Sequence, residues 1–183
     1  RTMKKHFLFL IIILQSCISD VQPKPSSFLR LDYPKPIYKR IKLTNNISFE
    51  TNYTSSIFHD KKQKFSLVYP KMKATLYLNY NAVKKNLDSL LNDAYQLPYK
   101  HMTKAESIPE KIFINPDKNV YGTLFSVIGD AASQHQFFLT DSLKHFLVGS
   151  LYFYARPNYD SLFPAIKFLE KDLIYLIETF EWK

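Results

Sequence analysis

An uninterrupted apolar run near the start of the chain ends just before its single cysteine. The run covers residues 7–14, follows two lysines, and leads through a Gln-Ser pair to Cys17. A helix needs about 20 apolar residues to cross a bilayer, so this run is too short to span one. A short positive segment followed by such a run is the layout of a secretory signal. The sequence therefore predicts an exported chain from which residues 1–16 are removed.

The residues before the cysteine resemble the lipobox of bacterial lipoproteins. Leu14 and Ser16 match that pattern, whereas Gln15 stands where a small or β-branched residue is usual. The resemblance implies that the sulfur of Cys17 receives a diacylglycerol, and that the chain is cut before it. It also implies that the new N-terminus carries a fatty acid such as palmitate. Two or more acyl chains anchor a protein stably, because each buried methylene adds about 0.8 kcal/mol. The alternative is an ordinary cleaved signal with an incidental cysteine.

The cysteine count and the charge pattern exclude several classes of site. One thiol can form neither a disulfide within the chain nor a thiolate zinc site. Loss of Arg1, Lys4 and Lys5 with the signal would lower the formal net charge from +9 to +6. The remaining lysines are scattered, and export separates the chain from nucleic acid, so we expect no nucleic-acid partner. We expect the basic surface to face solvent near acidic lipid headgroups.

The mature chain divides by composition into a tether and a folded part. Prolines at positions 23, 25, 34 and 36 fix φ and lack a backbone N–H, which favours an extended segment. We therefore assign residues 17–44 to the lipidated cysteine and a Pro-rich tether, and residues 45–183 to a single domain. With 13 Tyr, 15 Phe and only 3 Gly in the chain, the composition favours strands.

Hydrophobic periodicity predicts an α+β fold, in which an antiparallel sheet packs against helices. The last three predicted strands are joined by short links, so they should form an antiparallel meander. The final one is apolar on both faces, which places it in the centre of the sheet. Strands are predicted at residues 47–53, 65–69, 74–80, 120–128, 134–140 and 146–155.

Helical spacing occurs in two longer segments. Residues 83–94 carry apolar side chains on one face, and Pro98 should interrupt or end that helix. A short helical turn is predicted at residues 100–106. The chain closes with a long amphipathic helix, which Asn158, Asp160 or Ser161 can cap. Its apolar stripe consists of Leu162, Ile166, Leu169, Leu173, Leu176, Ile177 and Phe180.

Ser133, His135 and Asp141 are the nearest approach to a catalytic triad. If residues 133–141 form one strand, Ser133 and His135 share a face about 7 Å apart, whereas Asp141 lies about 26 Å from Ser133. The sequence also has no Gly-x-Ser-x-Gly elbow, glycine-rich phosphate loop or His-Glu-x-x-His pattern. It therefore predicts no catalytic residue, no cofactor and no metal site.

Residues 152–160 are the best candidate for a binding surface. The segment runs from the end of a strand into the start of a helix, where loops commonly display binding groups. Tyrosine and arginine are also the residues that anchor interfaces. The alternative is that the tyrosines complete the edge of the core. The predicted partner-docking patch consists of Tyr154, Arg156, Asn158 and Tyr159.

With these segments in place, the chain resembles GldD, the gliding-motility lipoprotein family of gliding bacteria. The resemblance covers nearly the whole chain, and the export signal and Cys17 also match. It is carried by Pro23-Lys-Pro, Phe28-Leu-Arg-Leu-Asp-Tyr-Pro34, Tyr69-Pro-Lys-Met-Lys-Ala-Thr-Leu-Tyr-Leu78, Asn86-Leu-Asp-Ser-Leu-Leu91, Val120-Tyr-Gly122, Gly129-Asp-Ala-Ala-Ser-Gln134, Gly149-Ser-Leu-Tyr-Phe-Tyr-Ala-Arg-Pro-Asn-Tyr-Asp-Ser161 and the Trp182-Lys183 ending.

The resemblance implies a non-catalytic envelope lipoprotein that takes part in gliding motility and the associated type IX secretion machinery. By looser analogy, the order of elements is similar to the PsbP/Mog1-type α/β sandwich, which bears on fold alone. Ile18, which follows the cysteine, is not the aspartate that retains lipoproteins in the inner membrane, so the outer membrane is preferred by analogy.

Two functional hypotheses follow from the sequence. The first is an assembly component that contacts other envelope proteins. The second is a lipid-anchored binding protein for a small ligand or an envelope glycan, with Tyr152 and Tyr154 in a pocket. A flat apolar surface would favour the first, and an apolar concavity with converging polar groups the second.

Overall fold

A large antiparallel sheet organises the part of the chain that the computed structural model describes, which is residues 33–44, 46–60, 64–100 and 104–183. Within these ranges, seven strands pair to form it, and we call it the main sheet. In spatial order they are β3 (Ser56–Asp60), β4 (Lys64–Tyr69), β5 (Ala74–Ala82), β11 (His145–Phe153), β10 (Ser133–Thr140), β8 (Val120–Ser126) and β7 (Glu110–Asn115). The predicted signal, Cys17 and the predicted tether up to residue 32 lie outside the described residues.

Strand β11 lies in the middle of the main sheet, as its apolar residues on both faces predicted. Leu147 and Leu151 are buried in one core, and Phe146 is buried in the core on the other face. The strand pairs with β10 and β5, and β10 also pairs with β8. The predicted antiparallel meander and the central position of its last strand are therefore confirmed.

Helices α1 (Leu87–Tyr99) and α2 (Tyr159–Glu178) cover opposite faces of the main sheet. Helix α1 places Ala94 over three phenylalanines, one each from β8, β10 and β11, which are Phe125, Phe138 and Phe146. Helix α2 packs its apolar stripe on the other face, and every residue of the predicted stripe is buried. The α+β class with an antiparallel sheet is confirmed.

A second sheet packs against α2 and shares the core on that face of the main sheet. It consists of β1 (Tyr38–Thr44), β2 (Ile47–Asn52) and β12 (Glu181–Trp182) within the described ranges. Asp172 of α2 ties it to the helix, because its carboxylate accepts hydrogen bonds from the Tyr38 hydroxyl at 2.9 Å and the Asn52 amide at 3.0 Å. A short pair, β6 (Ala105–Ser107) with β9 (Ile128–Gly129), closes the end of the molecule near the start of α2.

The predicted strands at residues 47–53, 65–69, 74–80, 120–128, 134–140 and 146–155 correspond to β2, β4, β5, β8, β10 and β11, with small shifts at their ends. Three strands of five or more residues in the described ranges escaped prediction. β1 lies at 38–44, in the predicted tether, yet it pairs with β2 along its whole length. β3 and β7 form the two edges of the main sheet. Edge strands are short and half-exposed, so their sequences lack a clear period.

The helix predictions need two corrections. Helix α1 begins at Leu87 rather than at 83, because the Val83 N–H donates to the Lys144 carbonyl and continues the strand pairing. The helix ends at Tyr99, and Pro98 lies in its last turn. Residues 105–107 form strand β6 where a helical turn was predicted, because they pair with β9. Residues 101–103 lie outside the described part.

Candidate functional site

The structure divides the predicted docking patch between the main sheet and a cavity beside α2. Tyr154 follows β11 and is 62 % exposed. Its hydroxyl oxygen accepts a hydrogen bond from the Thr75 hydroxyl at 3.0 Å and lies 3.1 Å from the Tyr77 hydroxyl. The hydrogen bond from Thr75 lowers the pKa of Tyr154, while the hydrogen bond to Tyr154 raises the pKa of Tyr77. These bonds hold the exposed ring of Tyr154 in a defined position.

Asn158 has a structural role at the start of α2. Its side-chain oxygen accepts the backbone N–H of Ser161 at 3.0 Å, so Asn158 is the residue among the three predicted candidates that caps the helix. Tyr159 is anchored as well, because its backbone N–H donates to the Asp130 carboxylate at 2.7 Å. Its ring is half-buried and burial raises its pKa. Asn158 nevertheless remains exposed, whereas the Tyr159 ring is only partly accessible.

Arg156 and Tyr159 line a cavity of about 660 Å³ at this end of the molecule. The volume is in the range of small-ligand sites, which run from about 300 to 1,000 Å³. Its wall, however, is mainly charged, with Lys104 and Arg156 facing three carboxylates. The residues that line it are Lys104, Glu106, Ile128, Gly129, Asp130, Arg156, Pro157, Tyr159 and Asp160.

The larger aromatic surface lies on the main sheet, on the face that α1 covers only in part. Helix α1 packs over β8, β10 and the near end of β11, and leaves β3, β4 and β5 uncovered. Tyr77 of β5 is 46 % exposed, and its ring meets that of Tyr152 edge to face, with centroids 5.8 Å apart. We call this surface the tyrosine face. It consists of Phe58, Tyr77, Tyr152 and Tyr154.

The rejected triad residues lie in separate environments. Ser133 donates its hydroxyl to the Leu151 carbonyl at 2.9 Å. Asp141 accepts the backbone N–H groups of residues 143, 144 and 145, which closes the β10–β11 hairpin and lowers the pKa of the carboxyl despite its partial burial. His135 instead turns towards α2. Ser133 thus stabilises the sheet and Asp141 its turn, whereas His135 contacts the helix.

His135 belongs to a buried polar cluster that no sequence pattern indicated. Its Nδ1 lies 3.2 Å from the Ser126 hydroxyl, which is 3.3 Å from the Glu170 carboxylate. Its Nε2 lies 3.4 Å from the Ile166 carbonyl. Burial lowers the pKa of His135 to about 4, which keeps the ring neutral at pH 7. Ser126 and Glu170 are 44 residues apart, so only the packing of β8 against α2 brings them together.

The described ranges contain neither a membrane-spanning helix nor a cluster of metal-binding side chains. No helix there is both long enough and apolar enough to cross a bilayer. In the same ranges, no group of three or more His, Cys, Asp or Glu side chains is placed to hold a metal ion.

Comparison of the sequence with models of known protein families identifies a family to which the chain is similar. The family model described as gliding motility lipoprotein GldD matches residues 18–182. The chain belongs to the GldD family. A comparison with curated proteins gives no match. The matched range begins directly after Cys17 and contains the tyrosine face, the Arg156 cavity and the buried cluster around His135. A role as a gliding-motility lipoprotein of the cell envelope follows from this membership.

The buried histidine gives this GldD-family domain a predictable pH dependence. A lowered pKa means that the folded state favours the neutral ring of His135. The contribution of this preference to the free energy of unfolding is fully present above pH 6.5. It is lost as the pH falls towards 4, because the unfolded chain then binds a proton that folded His135 does not. The difference amounts to about 3 kcal/mol between pH 7 and 4.

Urea unfolding at pH 7 and pH 4 measures this loss. In a Ser126→Ala/His135→Phe variant, which removes the titrating ring and its hydroxyl partner together, the loss should shrink by about 3 kcal/mol. The matched control is His59→Gln on the exposed strand β3, which should keep the wild-type dependence. An unchanged pH dependence in the double variant would show that His135 is protonated freely in the folded state.

Proposed function

We propose that this GldD-family lipoprotein is a non-catalytic assembly component of the gliding motility and type IX secretion machinery. Lipid on Cys17 holds it at a membrane, with the outer membrane preferred, and the domain docks to other envelope proteins. The single observation that supports docking is the tyrosine face, an exposed aromatic surface on the part of the main sheet that α1 leaves uncovered.

The chemistry of the tyrosine face suits a protein partner. Tyrosine buries a large apolar ring on binding and keeps a hydroxyl for hydrogen bonding, which is why it is enriched at interface anchors. The hydroxyls of Thr75, Tyr77 and Tyr154 already bond to one another, so the rings lose little freedom when a partner covers them. The exposed rings lie on the surface of the main sheet and not in a concave pocket, and this placement favours another protein over a small ligand.

The cavity beside Arg156 supports the second hypothesis, a lipid-anchored binding protein for a small ligand or an envelope glycan. Its volume fits a small molecule. Ligand pockets are mostly apolar with a few polar groups, whereas charged side chains dominate here. The cavity also lies away from the tyrosine face, because Tyr152 and Tyr154 are absent from its lining. The two hypotheses can therefore be tested by separate substitutions.

Removal of two exposed rings should uncouple the protein from its partners. Each interface tyrosine of the anchoring type is worth about tenfold in affinity, so Tyr77→Ala/Tyr154→Ala should weaken recovery of gliding components about a hundredfold. The readouts are co-purification after crosslinking in cells, spreading on agar and secretion of type IX cargo. Tyr53→Ala is the matched control, because Tyr53 is 69 % exposed and lies in the turn between β2 and β3.

A parallel variant, Arg156→Glu, separates the two hypotheses. Of the predicted docking patch, the assembly proposal keeps Tyr154 and leaves out Arg156, which lines the cavity, so it expects full motility and unchanged co-purification from this charge reversal. Loss of motility with Arg156→Glu, combined with normal motility of the double tyrosine variant, would reject docking through the tyrosine face. It would favour ligand binding in the cavity instead. Thermal unfolding of every variant checks that the effects do not come from instability.

A further inference from the structure

We propose that β7 is a dimerisation strand, at which two copies of this chain join their main sheets into one continuous sheet. In the proposed register, Phe113 stands opposite Phe113 of the second copy, and Ile112 stands opposite Ile114. The inference does not rest on the proposed docking function. It concerns the opposite edge of the molecule.

Strand β7 has an open outer edge. It is the last strand of the main sheet, and in the described ranges β8 is its pairing partner. The strand has six residues, about 20 Å of backbone, and lies between Pro109 and Pro116. In an edge strand, every second residue directs its N–H and C=O away from the sheet, where another strand can pair with them.

Two exposed isoleucines make this edge unusual. Ile112 is 68 % exposed and Ile114 is 71 % exposed. They stand opposite Thr123 and Tyr121 of β8, so they lie on the same face of the sheet as α1. Natural proteins protect open edges with charges, prolines or a covering element, and an apolar edge indicates a pairing surface. Prolines bound β7 at its ends, but its middle is apolar.

A groove between β7 and α2 opens on the other face. At one end, a cavity of about 140 Å³ lies between Lys111 of β7 and Lys167 and Glu170 of α2. At the other end, a cavity of about 510 Å³ lies beside Phe113, Ile177 and Glu178. Together the cavities follow the strand from Pro109 to Pro116. A strand added to β7 therefore finds room for the side chains that point towards α2.

The charges along the groove fit a basic residue at its wide end. Lys167 is paired with Glu170 at 2.7 Å, and Lys118 with Glu181 at 3.0 Å. Lys111, Asp117 and Glu178 line the wide end, so one negative charge there is left over, and the ion pairs of the described residues include none of the three. A strand that places a lysine there gains a favourable charge contact.

The sequence of β7 itself meets these requirements. In the proposed register, Lys111 of the second copy stands opposite Asn115, next to Asp117 and Glu178. The isoleucines of both copies form one apolar cluster, and the two Phe113 rings meet in the groove. A register centred on Ile112 would set Glu110 opposite Ile114, which places a charge against an apolar side chain. The register centred on Phe113 is therefore the better match of these two.

In the proposed dimer, both chains reach their folded parts from the same side, which is compatible with the lipid anchors of both copies lying in one membrane. Tyr33, the first described residue, packs on Phe168 of α2 with ring centroids 5.5 Å apart. Antiparallel pairing of two identical strands requires a two-fold axis perpendicular to the sheet. Helix α2 of both copies then lies on the same side, and both chains enter their domains from that side.

Disulfide trapping in cells tests the register. One tagged copy carries Ile112→Cys and a second, differently tagged copy carries Ile114→Cys, and both substitutions are at exposed positions. Opposed residues of paired strands are close enough for a disulfide. Added copper–phenanthroline takes up the two electrons, and the two thiols release their protons. Lipidated Cys17 has no free thiol, and the parent chain checks this.

We expect a heterodimer on non-reducing gels when both copies are present, on the order of tenfold more abundant than from Leu143→Cys, which is 75 % exposed on the β10–β11 hairpin. Either copy alone should give little dimer, because neither position faces itself. Absence of the heterodimer, equal dimer from either copy alone or from Leu143→Cys, or a crosslink to a different protein would overturn the proposal.

Discussion

Cys17→Ala is expected to release the protein from the membrane and to abolish gliding. An alanine has no sulfur to receive a diacylglycerol, so no acyl chain can be attached at this position. Each buried methylene of the lost chains contributes about 0.8 kcal/mol, and a domain without them has no comparable membrane affinity. The measurement is fractionation of cells into membrane and soluble protein, together with spreading on agar.

The matched control for this variant is Ser16→Ala, which keeps a small residue before the cysteine and should remain anchored and functional. Full motility with a soluble Cys17→Ala product would show that the domain works without an anchor. Mass spectrometry of the native N-terminal peptide gives an independent check, because an unmodified peptide would contradict lipidation itself.

Gly149→Ala is expected to lower the free energy of unfolding by about 3 kcal/mol. Gly149 stands opposite Phe137 in the centre of the main sheet, and the Phe137 ring lies over it. A Cβ at position 149 would stand 2.2 and 2.3 Å from two ring carbons, well inside contact distance. The ring is buried, so it cannot move without displacing the core beneath α2.

Urea unfolding of the variant measures this loss, with Ser150→Ala on the same strand as the control. Combining Gly149→Ala with Phe137→Leu should cost less than the sum of the two single changes, because the smaller side chain makes room for the methyl group. A Gly149→Ala protein within 0.5 kcal/mol of wild type would show that the ring relocates freely.

Much of the fold could be predicted because burial leaves a local pattern. Hydrophobic side chains alternate with polar ones in β5, recur at helical spacing in α2, and occupy both faces of β11. The sequence of each element therefore indicates which of its faces are buried. Strand β7 shows the opposite case. Its neighbouring isoleucine, phenylalanine and isoleucine carry no clear period, since its exposed face is apolar as well. Its place at the edge became visible only with the pairing of the sheet.

The candidate site was predictable only in part, for a related reason. Tyr154 and Arg156 were named because a strand-to-helix loop rich in tyrosine and arginine is a common binding segment. The sequence offered no sign that Thr75 and Tyr77, nearly 80 residues earlier, would complete the surface around Tyr154. Asn158 was named for the patch and for the cap, and only the hydrogen bond to Ser161 assigns it to the cap.

The sequence by itself determined the α+β class, the central strand and the family, and it predicts an exported, lipidated chain. Each of these features depends on a short run of residues or on a repeating hydrophobic period, so residues close together in the sequence are enough to predict it. The tertiary structure decided which half of the sheet α1 leaves bare, which edge stays open, and that Ser126, His135 and Glu170 meet. These depend on strand order and on contacts between distant segments, and the periodicity of any one segment does not encode them.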